Sequence, residues 1–190
     1  MLTTEQLIGE FDVARVTPSA ATFDFKKLEW MNGEHIRRMT VEDLAGDVLP
    51  YAKARYGDRL DIRVFEQAVA LAQERATTLD QIAEQAAFLF TADDEVEIAP
   101  ESWERLAATE RISELLDGAI AHVETCEWNH DAIDLRPTIE ALGLKPRKAM
   151  PALYAAVEGR HAGLPLFESI QLLGRESALR RLRAARSKLG

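Results

Sequence analysis

Apolar residues recur along this chain at three- and four-residue intervals, and this helical spacing is the feature that most limits its fold. No stretch of useful length alternates apolar and polar residues as a half-buried strand does. The sequence therefore predicts an all-α protein, a bundle or cage of about eight to ten helices in two small subdomains. The repeat is carried by Val64, Ala68, Leu71 and Ala72; by Ile82, Ala86, Leu89 and Phe90; by Leu106, Ile112, Leu115, Leu116, Ala119 and Ile120; and by Leu166, Phe167, Ile170 and Leu173.

Capping residues predict where several of these helices begin. Thr3, Thr40 and Thr78 each precede, by three residues, an acidic or amide side chain that can complete a capping box. Pro100 suits the first turn of a helix, where its missing N–H is not needed.

Other signals predict where segments end. Asn129 is expected to cap a helix that continues to Leu142, and Gly143 and Gly174 are expected to stop the helices before them. We expect a loop at residues 17–22. The boundary between the two subdomains is predicted in the acidic stretch 91–100.

The basic residues are concentrated at one end of an otherwise acidic chain. The net charge is −9, yet residues 145–190 contain ten basic and three acidic residues. A basic end can hold phosphates while an acidic body suppresses binding to random nucleic acid. A solvated helical surface explains the same pattern, so charge alone leaves both interpretations open.

Signatures of catalysis and metal binding are absent from the sequence. It has no glycine-rich phosphate loop and no nucleophile elbow. Cys126 has no basic neighbour that would lower its pKa, so we interpret it as a half-buried structural thiol. The acidic run at 93–97 lacks the glycine and the spaced oxygens of a calcium loop. No zinc site is expected, because none of the four histidines has a partner at ligand spacing: His35, His122, His130 and His161.

The cysteine usage and the absence of targeting signals bear on location. A single cysteine excludes an internal disulfide and fits a reducing compartment. The first residues do not have the pattern of a signal peptide, and no apolar run approaches the ~20 residues that span a bilayer. We therefore expect a cytoplasmic monomer that contacts neither membrane nor DNA.

Residues 23–38 read Phe-Asp-Phe-Lys-Lys-Leu-Glu-Trp-Met-Asn-Gly-Glu-His-Ile-Arg-Arg and combine aromatic with basic side chains. One interpretation is a hydrophobic turn between two helices, with Asn32-Gly33 as the turn or helix stop. The other is a structured elbow in which buried aromatics fix the geometry and the cations contact a phosphate backbone. The residues alone favour the first interpretation.

This segment closely resembles the Phe-Asp-x-x-Lys-Leu-x-Trp-x-Asn-Gly-x-x-Ile-Arg element of bacterial glutamyl-tRNA synthetases. Two further blocks resemble the same family in the same order. They are Ala-Val-Ala-Leu-Ala-Gln-Glu-Arg-Ala-Thr-Thr-Leu at 68–79, and Leu-Lys-Pro-Arg-Lys-Ala-Met at 144–150 with Pro-Leu-Phe-Glu-Ser-Ile-Gln-Leu-Leu-Gly-Arg at 165–175. Together the blocks span nearly the whole chain.

The resemblance implies the C-terminal, anticodon-binding region of a class I synthetase. It divides the chain into the end of the stem-contact region at 1–22 and two helical anticodon-binding subdomains at 23–98 and 99–190. The His-x-Gly-His and Lys-Met-Ser-Lys-type elements of adenylate formation are not in this sequence. It implies binding of tRNA-Glu without activation of glutamate, and no cofactor in this chain, since ATP and Mg²⁺ bind the catalytic core.

The same resemblance implies site residues. Arg75 matches the arginine that contacts the last anticodon base, although a surface cation near Glu74 and Asp80 explains it too. Tyr154 and Glu158 stand where the family often has Arg and Thr. Tyr154 can stack on a base, and Arg160 can replace the lost cation. The residues predicted to contact tRNA are Lys26, Lys27, Arg37, Arg38, Arg75, Arg147, Lys148, Tyr154, Arg160 and Leu166.

An alternative is a stand-alone protein-interaction or regulatory module descended from that region. The acidic body, the altered pocket and the missing catalytic core favour it. An independent enzyme is the least favoured class, because no catalytic site assembles from the sequence.

Overall fold

The computed structural model describes residues 3–16 and 22–190, and every regular element in these residues is helical. The all-α prediction is confirmed. The described residues form twelve α-helices, more than expected, because several are only one or two turns long. They are α1 (Thr4–Glu10), α2 (Phe25–Arg38), α3 (Val41–Tyr56), α4 (Ile62–Ala72), α5 (Leu79–Gln85), α6 (Pro100–Ala107), α7 (Ile112–Thr125), α8 (His130–Ile133), α9 (Arg136–Ala141), α10 (Pro146–Glu158), α11 (Leu166–Leu173) and α12 (Arg175–Ser187), with 3₁₀ turns at Val13–Arg15, Gly57–Arg59 and Ala87–Phe90.

The predicted helix starts are found in the structure. Thr3 and Gln6 form a complete capping box at α1. Thr40 and Thr78 accept hydrogen bonds from the backbone three residues ahead, at the starts of α3 and α5. Pro100 is the first residue of α6. Local side-chain chemistry therefore sets these boundaries.

Two turn predictions are wrong. Asn32 and Gly33 lie inside the continuous helix α2, where Gly33 is buried beside the turn that precedes α5. Tertiary packing there outweighs the weak helix propensity of an Asn-Gly pair. Asn129 caps only the short α8, because a separate helix, α9, begins at Arg136 with Pro137 in its first turn, after a break at residues 134–135. Residues 17–21 of the predicted loop, and the first two residues of the predicted segment 1–22, lie outside the described residues.

The buried side chains form two hydrophobic clusters. The N-terminal core lies between α2, α3, α4, α5 and the turn Ala87–Phe90, and the C-terminal core lies between the helices from α6 to α12, including the short α8. Leu164 is an exception in the chain order, since it follows α10 but packs in the N-terminal core. Helix α11 also packs against α4, so the two cores are in direct contact.

A buried arginine joins the two cores. The Arg181 side chain is 2% exposed and donates hydrogen bonds to the carbonyls of Val157, Phe88 and Thr91 and to the Asp93 carboxylate. Burial acts to raise the pKa of Asp93, but hydrogen bonds from Arg180 and Arg181 outweigh it, and this pKa is lowered. The buried charge of Arg181 is thus balanced by Asp93 and by backbone carbonyls from both halves of the chain.

The C-terminus of α10 is held at the same junction. Gly159 ends this helix with a φ of +76°, and a Cβ there would lie 2.6 Å from the Glu97 carbonyl oxygen. Its own carbonyl accepts a hydrogen bond of 2.9 Å from the Ala99 amide. Only glycine fits a positive φ at such a close approach, so the segment after α10 leaves in a fixed direction.

The segment before residue 31 contrasts with the rest, because its large apolar side chains are exposed. The aromatics Phe23, Phe25 and Trp30 are 64%, 72% and 58% exposed. Large apolar side chains of α1, of the turn after it and of α2 are exposed as well. They are Leu7, Ile8, Phe11, Val13, Val16 and Leu28. The interpretation in which buried aromatics fix an elbow is therefore wrong.

Candidate nucleic-acid interface

Arg75 projects from the turn between α4 and α5 and reaches across to the other half of the chain. Its Nη1 donates a 3.3 Å hydrogen bond to the carbonyl of Gly163. The turn is held by contacts with α2 and the residue after it. Asn32 donates a hydrogen bond to the Thr77 carbonyl. Gln73 donates to the carbonyls of Ile36 and Met39, each at 2.9 Å. The exposed guanidinium therefore rests on a fixed backbone.

Tyr154 is the half-buried neighbour of Arg75 on α10. Burial raises the pKa of its hydroxyl, while Arg75 and the backbone of Leu166 lie beside that hydroxyl and act to lower it. An exposed residue of the N-terminal half and a residue that packs against the C-terminal core thus lie side by side on the surface.

Glu158, one turn further along α10, is buried rather than presented to solvent. It is 7% exposed, and its Oε1 has no hydrogen-bond partner among the described residues. It lines a cavity of about 130 Å³ with Gln85, Arg160 and Gly163. Gly163 leaves room for this carboxyl, because a Cβ there would lie 1.7 Å from Glu158 Oε2.

This burial changes the charge that Glu158 brings to the surface. Loss of hydration raises its pKa to about 8, and the nearby Ser169 hydroxyl, the Leu164 backbone and the positive charge of Arg181 only partly oppose that shift. At neutral pH the side chain is therefore mainly an uncharged acid. The repulsion of RNA expected from a carboxylate at this position is small for the same reason.

Two other predicted residues of this region are not free to act as expected. Arg160 pairs with Glu84 at 2.9 Å, so its charge is already neutralised on the protein surface. The Leu166 side chain is 2% exposed in the C-terminal core. Its backbone lies beside the Tyr154 hydroxyl.

The cations of α2 are divided between exposed and paired residues. Lys26, Lys27 and Arg38 are exposed. Arg37 is half-buried and paired with Glu34 on its own helix. The structure therefore leaves three of the four predicted α2 cations available to a partner.

Arg147 and Lys148 lie far along α10 from Glu158, in the first turns of the helix. They line a groove of about 650 Å³ together with Lys145 and, from the end of α6, Arg105. Sequence reasoning missed the last two. Lys145 belongs to the same Lys-Pro-Arg-Lys run as Arg147 and Lys148, so the sequence could have predicted it. Nothing near Arg105 in the sequence links that residue to α10.

Comparison with known proteins identifies the type of domain. A family model described as an anticodon binding domain matches residues 43–186.

The chain belongs to the anticodon-binding domain family.

Its relatives include the glutamate–tRNA ligase of Paenarthrobacter aurescens, 38% identical over 195 residues that cover 98% of this chain and 38% of the relative. The glutamate–tRNA ligase of Kocuria rhizophila is 37% identical over 198 residues, covering 100% of this chain and 39% of the relative. This anticodon-binding domain thus spans less than two fifths of the length of these relatives. The resemblance to glutamyl-tRNA synthetases is confirmed.

Solved structures agree on the fold. A glutamate tRNA ligase from Elizabethkingia meningosepticum superposes with a TM-score of 0.80 at 21% identity, covering 100% of this chain and 37% of that chain. A glutamate-tRNA synthetase from Elizabethkingia anophelis gives 0.76 at 21%, covering 98% and 36%. The family match begins at residue 43, so it includes Arg75, Tyr154 and the groove but not the cations of α2.

The described ranges contain neither a candidate metal site nor a candidate membrane span. Residues 3–16 and 22–190 contain no group of three or more His, Cys, Asp or Glu side chains that could hold a metal ion. His130 contacts Asp131 and Glu168, which raise its pKa. Among the same residues, no helix is both long and apolar enough to cross a bilayer.

Proposed function

We propose that this anticodon-binding domain binds the anticodon arm of tRNA-Glu and supports tRNA recognition by a glutamate–tRNA ligase. The observation that carries the proposal is the meeting of Arg75 and Tyr154 at the junction of the two cores. An arginine offers two donors to a base edge, and an aromatic ring offers a stacking face to an unpaired base. The anticodon presents unpaired bases, so both kinds of contact suit it.

The local electrostatics support the same proposal. Below a pH of about 8, Glu158 is protonated and leaves the positive charge of Arg75 unopposed. Arg75 donates to the Gly163 carbonyl and lies beside the Tyr154 hydroxyl, and it forms no ion pair with a carboxylate among the described residues. The guanidinium keeps donors that a base can accept.

Titration of the protein with tRNA-Glu and with an unrelated tRNA, followed by fluorescence, tests the proposal. We expect Arg75→Ala to lose about 1–3 kcal/mol of binding to tRNA-Glu, a Kd weaker by roughly 5- to 160-fold, and to lose the preference between the two tRNAs. Arg63→Ala is the matched control, because Arg63 is an exposed cation on α4. Equal binding of both tRNAs by the unmodified protein would contradict the proposal.

A second pair of variants isolates the role of Tyr154. Tyr154→Phe keeps the ring and should bind nearly as well as the unmodified protein. Tyr154→Ala removes the ring, and stacking of one base is worth about 1–3 kcal/mol. Identical affinities for the two variants would rule out stacking.

A protein-contact role is the second candidate, and the exposed apolar segment favours it. Singly exposed apolar residues are ordinary, but nine large ones within residues 7–30 mark an interaction surface. If this role replaces RNA binding, Arg75→Ala leaves RNA affinity unchanged and a protein co-purifies through residues 3–30. The two measurements separate the candidates.

The remaining expectations complete the proposal. We place the protein in the cytoplasm as a monomer that binds neither DNA nor membrane. We assign the ATP and Mg²⁺ of glutamate activation to a catalytic part that these residues do not include.

A further inference from the structure

The groove at the start of α10 gathers four cations from two separate parts of the chain. Lys145, Arg147 and Lys148 come from the first turn of α10 and the residue before it, and Arg105 comes from α6. All four side chains are exposed. One carboxylate, that of Glu110, is found among the described residues that line the groove.

These cations differ from most of the other arginines because they are unpaired. Arginines elsewhere in the described structure pair with carboxylates, as Arg55 does with Asp80 at 2.8 Å and Arg186 with Asp117 at 2.9 Å. No carboxylate oxygen in the described residues lies within the 4.0 Å of an ion pair from Arg105, Lys145, Arg147 or Lys148. Four positive charges against one carboxylate around the groove attract a polyanion, and in a chain of net charge −9 they stand out against an acidic background.

The groove and Tyr154 lie on one face of α10. Arg147 and Tyr154 are seven residues apart, which brings them back to nearly the same side of a helix with 3.6 residues per turn. Pro151, which lines the groove, lies between them on that side. The axial distance is about 10 Å, close to the length of three stacked nucleotides at roughly 3.4 Å each.

We propose that Arg105, Lys145, Arg147 and Lys148 form a phosphate-binding groove for single-stranded RNA, from which the strand follows α10 to Arg75 and Tyr154. The inference rests on the proposed function and adds a division of labour to it. The groove supplies affinity that is independent of sequence and sensitive to salt, and the junction supplies base discrimination. An acidic protein segment is the competing occupant.

Two triple variants with the same change of charge test the groove. The groove variant is Lys145→Gln, Arg147→Gln, Lys148→Gln. The control variant, Lys53→Gln, Arg63→Gln, Lys188→Gln, removes two lysines and one arginine that are likewise exposed. Each is titrated with tRNA-Glu and with an unstructured oligoadenylate over a series of salt concentrations.

The expected result is a shallower salt dependence for the groove variant alone. Each lost phosphate contact to a single strand lowers the slope of log K against log salt by about 0.7, so three lower it by about 2. Adding Arg105→Gln, the residue that only the structure identifies, should lower it by roughly 0.7 more. A groove variant that keeps the unmodified slope, or changes no more than the control, overturns the inference.

The two ligands separate failure of the groove from failure of the proposed function. Oligoadenylate binding that depends on the groove, with no preference for tRNA-Glu, supports the groove and contradicts the proposed function. A preference for tRNA-Glu, with a salt-dependence slope that is the same for the groove variant and the unmodified protein, supports the proposed function and contradicts the groove. Absence of binding to either RNA at low salt overturns both, and tighter binding of an oligoglutamate peptide than of oligoadenylate overturns RNA as the occupant.

Discussion

The two ends of α10 have opposite relations to solvent. At its start, Arg147 and Lys148 are exposed and unpaired around an open groove. At its end, Glu158 is buried and Gly159 is packed against the Glu97 backbone. The two ends of α10 therefore have different roles. Charges at the open end are free to bind, and groups at the buried end fix where Tyr154 and Arg75 meet.

If this comparison is correct, changes at the buried end should alter stability, and changes at the open end should alter binding alone. The largest effect is expected for Arg181→Met, which keeps side-chain bulk but removes the donors to three carbonyls and to Asp93. Breaking a buried charged network by removing one partner costs about 3–5 kcal/mol. Urea denaturation would measure the loss in the free energy of unfolding.

The neighbouring Arg180 provides the control for Arg181. It pairs with the same Asp93 carboxylate, but its side chain is 55% exposed. Arg180→Met should cost no more than about 1 kcal/mol, as surface ion pairs do. Equal losses in the free energy of unfolding for the two variants would show that burial does not increase the contribution of Arg181 to stability.

Leu164→Ala should have the next largest effect. Leu164 is 1% exposed and packs in the N-terminal core although it follows α10. Truncating a buried leucine costs about 2–5 kcal/mol through lost burial and the cavity left behind. Leu28→Ala, at a half-exposed position, should cost under about 1 kcal/mol in the same denaturation experiment. A small loss at Leu164 would mean that the two cores are not joined there.

Glu158 should make stability depend on pH. Its pKa in the folded protein is about 8, above the ordinary value of 4.5, so the folded state holds a proton that the unfolded state releases between these values. Stability therefore falls as pH rises from about 4.5 to 8 and is level above that. The buried carboxyl also leaves an acceptor unsatisfied, and such a group costs about 1–3 kcal/mol.

The test compares melting temperatures of Glu158→Gln and the unmodified protein at pH 5, 7 and 9. The amide stays uncharged, so the variant should gain stability relative to the unmodified protein as pH rises. Glu66→Gln, on the exposed side of α4, is the control and should show no such trend. A difference that stays constant with pH would contradict a buried, protonated Glu158.

The smallest effect on stability is expected at the open end. Replacing Arg147 and Lys148 with glutamine should change the free energy of unfolding by less than about 0.5 kcal/mol, because both side chains are exposed and unpaired. Denaturation midpoints of the double variant and the unmodified protein should coincide. A loss above 1 kcal/mol would assign these residues to the fold and not to binding.

The sequence by itself determined the helical class, several helix starts and the family. Periodic apolar residues and capping side chains act over a few residues, so they can be recognised without the fold. The family resemblance predicts Arg75 and the region 154–166 as contacts of tRNA. Local signals failed at Asn32-Gly33 and after Asn129, where packing and Pro137 decided the outcome.

Only the tertiary structure decided which residues share a surface and which charges are free. It brought Arg75 to Tyr154 and Arg105 to Arg147, and it neutralised Arg160 on Glu84. It also buried Glu158, which turned an expected carboxylate into an uncharged acid at neutral pH. Burial and pairing depend on groups distant in the chain, and the charge of a side chain is set by those neighbours rather than by its own position.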